Sequence, residues 1–323
     1  MKTLLVWTGA DDSALCAALA SVSGLKVRRC RSEAEALEAM AEADGMVGSV
    51  IPWNRALAAA LRASPRLKWL QVMNVGFDNV EALGLPRDLR LSTLGALGST
   101  TVATHALSLL LALARGLFAA RQATGQEQWP TGVLSGHICN LQNETVAIVG
   151  FGPIGQALAR QLTGIGARPV AYARQARQQA GVEVRPVSAL SQTLAEVVAL
   201  VVCAPLKRET TRLIDATVFR GMRAGALLVN VSRGAIVDTP ALLAALDSGR
   251  LAGAGLDVID PEPLPAGHPL WRHPSVILTP HVAFAGAPPG EQRARIDYVV
   301  ANARRFASGS MPEGLVDFAV GEG

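Results

Sequence analysis

Three polar segments in the second half of the chain carry the ionisable side chains best suited to chemistry. Asn230-Val-Ser-Arg233-Gly-Ala-Ile-Val-Asp238 follows one apolar run, and Gly255-Leu-Asp257-Val-Ile-Asp-Pro261-Glu262-Pro263 follows another. Leu278-Thr-Pro280-His281 follows a third. Polar groups flanked by proline just past apolar runs bury badly unless they serve a purpose. An imidazole, a carboxylate and a guanidinium are the set that reduction of a carbonyl needs. In such a set His281 protonates the developing alkoxide and Glu262 holds the imidazolium. Arg233 binds an anionic substrate and polarises its carbonyl.

A second chemical signal precedes these. Thr145-Val-Ala-Ile-Val-Gly150-Phe-Gly152-Pro153-Ile154-Gly155-Gln-Ala-Leu-Ala-Arg160 reads as a strand, a G-x-G-x-x-G loop and a helix. Gly150 permits the tight turn, Gly152 lets the backbone approach a pyrophosphate, and Gly155 allows close helix–strand packing. The phosphates then meet N–H groups at the helix start, near Pro153 and Ile154, where the helix dipole favours anions. The next strand, Pro169–Tyr172, runs to Ala173 at the position where an acidic side chain would hold the adenosine ribose hydroxyls. Arg174 and Arg177 follow instead. Without a carboxylate to repel it, a 2′-phosphate can pair with two guanidiniums. NADP(H) is therefore expected over NAD(H), with NAD(H) still possible.

Alternating short apolar runs and helical patterns position these groups, which is the signature of parallel sheets covered by helices. The first series has strand candidates at Leu4–Trp7, Leu25–Cys30, Gly45–Val47, Leu67–Val72 and Leu89–Thr93, with a capping box at Ser32 and Glu35. A long apolar helix, Thr101–Arg121, has no partner strand and reads as a connector packed between two domains. The second series runs Thr145–Val149, Pro169–Tyr172, Val197–Cys203, Ala226–Val231, Ala254–Val258 and Val276–Leu278. A helix over Glu291–Ala307 follows, and Leu315-Val-Asp-Phe-Ala319 reads as a return to the first domain. Ligands of open α/β sheets bind outside the carboxyl ends of the strands, so the three polar segments are expected to converge there.

Composition narrows the field. The 323 residues suit two domains, and a chain that is 50% hydrophobic and 17% charged is not disordered. The net charge of +4 comes from 26 Arg and 4 Lys against 26 acidic residues, but the arginines are dispersed and not interleaved with aromatics. No nucleic-acid partner is expected. Cys16, Cys30, Cys139 and Cys203 lack metal-ligand or disulfide-framework spacing, so no metal is expected and a reducing cytoplasm suits them. Met1–Trp7 reads as a strand, and the Ala106–Ala114 stretch is far short of the ~20 residues that span a bilayer, so no membrane association is expected.

Taken together, these motifs closely resemble the D-isomer-specific 2-hydroxyacid dehydrogenases, the family of glyoxylate/hydroxypyruvate reductases and phosphoglycerate dehydrogenases. The resemblance runs from about Leu67 to Ala307. It includes Gly76-Phe-Asp-Asn-Val80, Val102-Ala103, the glycine loop, Pro205-Leu-Lys-Arg-Glu-Thr210, the Asn230–Gly234 segment, Asp257, Pro261-Glu-Pro, His268-Pro-Leu-Trp271 and Thr279-Pro-His281. It implies an α/β fold of two Rossmann-like domains with parallel sheets. Residues 1–100 and 287–323 would form a discontinuous substrate domain, and 101–286 the NAD(P)-binding domain. The resemblance also implies that Arg233, Glu262 and His281 are catalytic, and that N–H groups around Val75 and Gly76 hold the substrate carboxylate. Cys203, Pro205, Thr210 and Val231 would border the cofactor, Asp257 would face its carboxamide, and a homodimer would form.

The activity so implied is NADPH-dependent reduction of small 2-oxo acids to D-2-hydroxy acids. The alternatives are an NAD-linked dehydrogenase of a bulkier acid and a non-enzymatic dinucleotide sensor. Thr104 replaces the family's usual acidic residue. Val75 stands where phosphite dehydrogenases carry lysine, and Phe284 is positioned to narrow a substrate pocket. Other polar groups have plainer roles. His105 reads as a satisfied interdomain histidine, while His137, His268 and His273 read as loop residues. Trp53 reads as a packing residue, and Cys203 as a small apolar strand-end residue.

Overall fold

The computed structural model describes residues 1–9, 11–49, 54–78, 80, 83–86, 88–129 and 138–316. Trp53, His137 and residues 317–319 lie outside these. The chain divides into two compact units, Met1–Gly98 with Ala287–Gly323, and Ser99–Gly286.

In the first unit β1 (Lys2–Trp7), β2 (Leu25–Arg29), β3 (Gly45–Gly48), β4 (Trp69–Val72) and β5 (Arg90–Ser92) form a parallel sheet of order β2-β1-β3-β4-β5. Helices α1 (Ser13–Ala20), α2 (Glu33–Met40) and α3 (Arg55–Arg62) connect the strands. Ser32 accepts from the Glu35 N–H at 3.2 Å, and the Glu35 carboxylate takes the N–H of Arg31 at 2.7 Å, so the capping box reaches back one residue further than its usual form. Asn54 caps α3 by accepting from Ala56 and Leu57.

The C-terminal segment closes this unit. The helix Pro289–Ser308 lays the Phe306 ring 4.9 Å from that of Trp69, between centroids. Asn302, fully buried, donates to Gln71 Oε1 at 2.9 Å and to the Glu313 carbonyl at 3.0 Å, and accepts from the Glu313 N–H at 2.8 Å. Gln71, equally buried, passes its own N–H groups to the carbonyls of Val72 and Ser92. Leu315 then bridges Ser92 antiparallel, which is the return to the first unit that the sequence suggests.

The second unit begins with α4 (Ser99–Ala114) and α5 (Leu117–Gly125). The single helix expected over 101–121 is broken. Gly116 sits in the left-handed region (φ 62°), and the two helices meet at a 60° bend. No single helix among the described residues is long and apolar enough to cross a membrane; α4 and α5 meet that criterion only as this bent pair. α4 also has partners of its own. It packs against α6 (Pro153–Gly164) and the strands β11 (Ala226–Asn230) and β12 (Leu251–Leu256). The glycines of β12 permit the approach: a Cβ on Gly255 would lie 3.0 Å from Leu109 Cβ, and one on Gly253 would lie 3.1 Å from Leu113.

The remaining strands are β6 (Thr145–Val149), β7 (Arg168–Ala173), β8 (Arg177–Gln179), β9 (Val182–Pro186), β10 (Val197–Val202) and β13 (Val276–Leu278). Sheet order is β13-β12-β11-β10-β6-β7-β9-β8, parallel except for β8. Helices α7 (Ala216–Gly221) and α8 (Thr239–Asp247) complete the unit. The β8–β9 hairpin is an addition to the sequence reading. Its turn, Ala180-Gly181, is left-handed at both residues, and its polar Arg-Gln-Gln strand carries no apolar run. Because β6, β10, β11, β12 and β13 are parallel, the segments after them emerge along one sheet edge.

Replacing Asn302 by Leu orphans Gln71 Oε1 and both backbone groups of Glu313. The variant should lose about 2–4 kcal/mol of stability, since each buried unpaired group costs about 1–3 kcal/mol. Equilibrium urea unfolding reads this as a lower midpoint; an unchanged midpoint would show that the amide pair does not hold the terminal segment.

Candidate active site

The glycine loop has the shape a dinucleotide pyrophosphate requires. Gly150 is left-handed (φ 95°), and a Cβ there would strike Ala204 N and Cα at 2.5 Å. On Gly155 a Cβ would lie 2.2 Å from the Gly150 carbonyl oxygen, so α6 can approach β6 only without a side chain. Gly152 differs: its Cβ would meet nothing within 4 Å, leaving open room beside the N-terminus of α6. Gly152 is the N-cap of that helix and Pro153 occupies its first turn, while Ile154 packs against the core. The loop thus combines a tight turn, an open backbone face and helix N–H groups.

Around it, the sequence-predicted contacts divide. Arg174 is exposed just past β7. Arg177 opens β8 and is engaged locally, donating to Gln179 Oε1 at 2.7 Å and to the Gln175 carbonyl at 3.2 Å. The Thr210 hydroxyl serves its own loop, accepting from Lys207 N–H and donating to the Pro205 carbonyl, both at 2.7 Å. Val231 is buried in the core, and Pro205 is exposed. Burial pushes the Cys203 thiol up to about 12 and the Cys16 thiol up to about 11, and raises Cys30 and Cys139 too. All four remain thiols at neutral pH, and none is primed as a nucleophile. Among the described residues no group of His, Cys, Asp and Glu could hold a metal ion.

Arg233 stands on the turn after β11, and buried Asn230 shapes that turn. The Asn230 side chain donates to the Arg233 carbonyl and accepts from the Ser232 N–H, both at 3.0 Å. The Arg233 guanidinium donates to the Ser232 carbonyl at 2.7 Å. Gly234 then meets the next loop, where a Cβ would lie 2.0 Å from the carbonyl carbon of Ile259. The Arg233 turn and the loop leading to Glu262 are therefore in backbone contact.

Glu262 and His281 are brought together directly, with Nδ1 and Oε1 2.7 Å apart. Their side chains are 47% and 42% exposed for His281 and Glu262 respectively, so the pair faces solvent at the sheet edge. His281 is left-handed (φ 54°), a conformation that L side chains rarely adopt and that clusters at functional sites. Its N–H is shared between the carbonyls of Asp257 (2.8 Å) and Thr279 (3.0 Å).

Asp257 explains that turn. Its carboxylate is almost fully buried and accepts from the Thr279 hydroxyl (2.6 Å), the Val282 N–H and the Ala283 N–H (both 2.9 Å). This residue, expected to face the cofactor, is employed in fastening the His281 loop. Phe284, expected to narrow a pocket, packs against the core of the second unit. Thr104 bonds its own helix at the Thr100 carbonyl and accepts from Gln161. His268 and His273 make local loop bonds. Val75 and Gly76 follow β4 in the first unit, half-buried. The Asn230 clamp and the Thr279 hydroxyl carry no separate sequence signal, since both are small polar groups inside longer motifs.

An eight-stranded, mainly parallel sheet with a glycine-cradled helix start defines a Rossmann dinucleotide-binding unit. Residues 107–283 match the model for the D-isomer specific 2-hydroxyacid dehydrogenase NAD-binding domain. The chain is 34% identical over 264 residues to a glyoxylate reductase of Pyrococcus furiosus, covering 79% of this chain and 77% of the relative. A D-isomer specific 2-hydroxyacid dehydrogenase of Xanthobacter autotrophicus, solved with NADPH and MES, superposes with a TM-score of 0.81 at 29% identity, covering 99% of each chain. An NADPH-dependent glyoxylate/hydroxypyruvate reductase of Sinorhizobium meliloti, solved with NADP and sulfate, gives 0.81 at 26% identity, covering 99% of this chain and 100% of the other. The chain belongs to the D-isomer specific 2-hydroxyacid dehydrogenase family and is an NAD(P)-dependent oxidoreductase.

The three glycines should respond differently to a methyl group. Gly152→Ala should cost the fold less than about 1 kcal/mol, an N-cap effect, yet weaken dinucleotide binding at least tenfold. Gly155→Ala should destabilise the fold itself. Thermal unfolding beside fluorescence titration with the dinucleotide separates the two; unchanged affinity in Gly152→Ala would mean that the open face is not the pyrophosphate site.

Proposed function

We propose that the chain reduces small 2-oxo acids of the glyoxylate and hydroxypyruvate type to D-2-hydroxy acids, with NADPH as the preferred reductant. The observation that carries this reading is the short His281–Glu262 hydrogen bond at the sheet edge, on a histidine held left-handed. Both solved relatives named above that carry a dinucleotide hold its phosphorylated form, which supports NADPH. So does Ala173 at the end of β7, where a carboxylate would repel a 2′-phosphate.

Gly150, Gly152, Gly155 and the start of α6 would hold the pyrophosphate, and Arg174 would hold the 2′-phosphate. NADPH, when bound, supplies the hydride that the carbonyl carbon receives. Glu262 accepts from Nδ1 of His281, fixing the ring so that Nε2 carries the proton given to the carbonyl oxygen. Arg233 pairs with the substrate carboxylate and polarises the keto oxygen. A homodimer, with a cytoplasmic location, is part of the same proposal. The dimer is supported by the exposed apolar side chains of Leu117, Phe118 and Trp129, the last 86% exposed.

Arg174→Ala should raise KM for NADPH about tenfold, about 1.4 kcal/mol and within the range of a charge-assisted bond. KM for NADH should hardly change. Arg177→Ala should do less, because that side chain already bonds Gln179 and Gln175. Equal kcat/KM for NADPH and NADH in the unmutated enzyme would refute the preference.

His281 and Arg233 should fail in different ways. His281→Ala removes a proton donor needed only as charge develops, so kcat should fall roughly 10²–10⁴-fold. Arg233→Ala removes ground-state binding too and should raise KM for the 2-oxo acid while lowering kcat. Arg233→Lys should recover little, because an ammonium cannot reproduce the planar fork. Steady-state kinetics on the three variants decides the assignment; near-normal kcat in His281→Ala, with hydride transfer shown rate-limiting by deuteride substitution, would remove His281 as the acid.

A further inference from the structure

A second histidine touches the scaffold of the first. His105, on α4, places Nε2 3.0 Å from the Thr279 hydroxyl and 3.3 Å from Asp257 Oδ1. The Thr279 hydroxyl has a single proton, and its 2.6 Å bond directs that proton to the nearly fully buried Asp257 carboxylate. The Thr279 oxygen is therefore the acceptor toward His105, which assigns the proton on that ring to Nε2. The hydroxyls of Thr104 and Ser108 on α4 bond back to the carbonyls of Thr100 and Thr104.

The two residues that His105 touches are the two that grip the His281 backbone. Asp257 and Thr279 both accept the His281 N–H through their carbonyls. The Asp257 carboxylate takes the N–H groups of Val282 and Ala283 as well. We infer that His105 is a positioning residue for His281: its N–H orients the Thr279 hydroxyl onto Asp257 and thereby holds the left-handed His281 turn. The inference rests on His281 being the acid. What the inference asks of His105 is its Nε2–H donor to the Thr279 hydroxyl. Without it the Thr279 hydroxyl loses the donor that orients it onto the buried Asp257 carboxylate, and the left-handed turn of His281 loses its brace.

The test uses the whole chain with NADPH and glyoxylate, measuring single-turnover oxidation of NADPH, KM for glyoxylate and dinucleotide affinity. His105→Leu should slow the single-turnover rate roughly 10–100-fold, the scale of a small misplacement of a reacting group. Its KM and its dinucleotide affinity should stay within about twofold of the unmutated values, a margin set by the absence of lost substrate contacts. His105→Gln keeps an N–H donor without an ionisable ring and should recover most of the rate. Thr279→Val should reproduce the loss, and it carries the test should His105→Leu fail to fold. The double variant His105→Leu/His281→Ala should be no slower than His281→Ala, since both changes act on one proton transfer.

A normal rate in His105→Leu, or a multiplicative loss in the double variant, would overturn the inference while leaving His281 as the acid. A His105→Gln enzyme as slow as His105→Leu would overturn the donor role. A normal rate in His281→Ala would instead remove the assignment on which the inference stands.

Discussion

A carboxylate withdrawn from water must be given donors, and in this chain that requirement falls on Asp257. Its carboxylate accepts from one loop hydroxyl and two loop N–H groups, and a helix-borne imidazole stands 3.3 Å away, bonded to that hydroxyl. Each donor is thereby fixed in place, and three of them flank or immediately follow His281 in the chain. The left-handed turn of His281 and its ring's approach to Glu262 follow from satisfying a buried charge. On the other side of β12, the Asp257 N–H donates to the Asn230 carbonyl, and Asn230 in turn shapes the Arg233 turn. One desolvated group thus ties together the loops that bear all three proposed catalytic side chains.

Close backbone approach is the second organising constraint. Gly150 lies on Ala204, Gly155 on Gly150, Gly234 on Ile259, and Gly255 under Leu109. At the first three points two main chains come nearer than a Cβ permits, and at Gly255 the main chain meets a packed side chain at the limit of contact. These contacts bring the carboxyl ends of neighbouring strands into register as a single rigid edge. Gly152 stands apart because its missing side chain leaves space open.

Much of this could be read from residues alone. The strands over 145–149 and 276–278 coincide with their apolar runs, and buried parallel strands announce themselves by such continuity. Arg233, Glu262 and His281 stand out in the sequence as polar groups just past strand ends, and the structure brings Glu262 and His281 into contact. What escaped was set by context. The β8–β9 hairpin is polar on an edge, so it shows no apolar run. The break at Gly116 sits inside a pattern apolar enough to read as one helix. Arg177 has a local partner in Gln179 that only the hairpin supplies. His105 looks like an ordinary satisfied histidine, which in hydrogen-bonding terms it is; only the identity of its partners gives it a further meaning. A residue type tells which bonds a side chain can make, but a tertiary neighbour decides which ones it does make.

The Asn302–Gln71 amide pair has a consequence for how the chain is made. The two residues are 231 positions apart. At about 5–20 residues per second of synthesis, Gln71 waits roughly 10–50 s for its partner. During that interval the whole of the Ser99–Gly286 unit emerges with every segment it needs. On the ribosome, therefore, the Ser99–Gly286 unit has all its segments before the sheet of β1 to β5 is completed. The sheet of β1 to β5 must pass that time with the surface later covered by the Pro289–Ser308 helix still bare. The nascent chain is most exposed to off-pathway association along that sheet, and chaperones would find their substrate there.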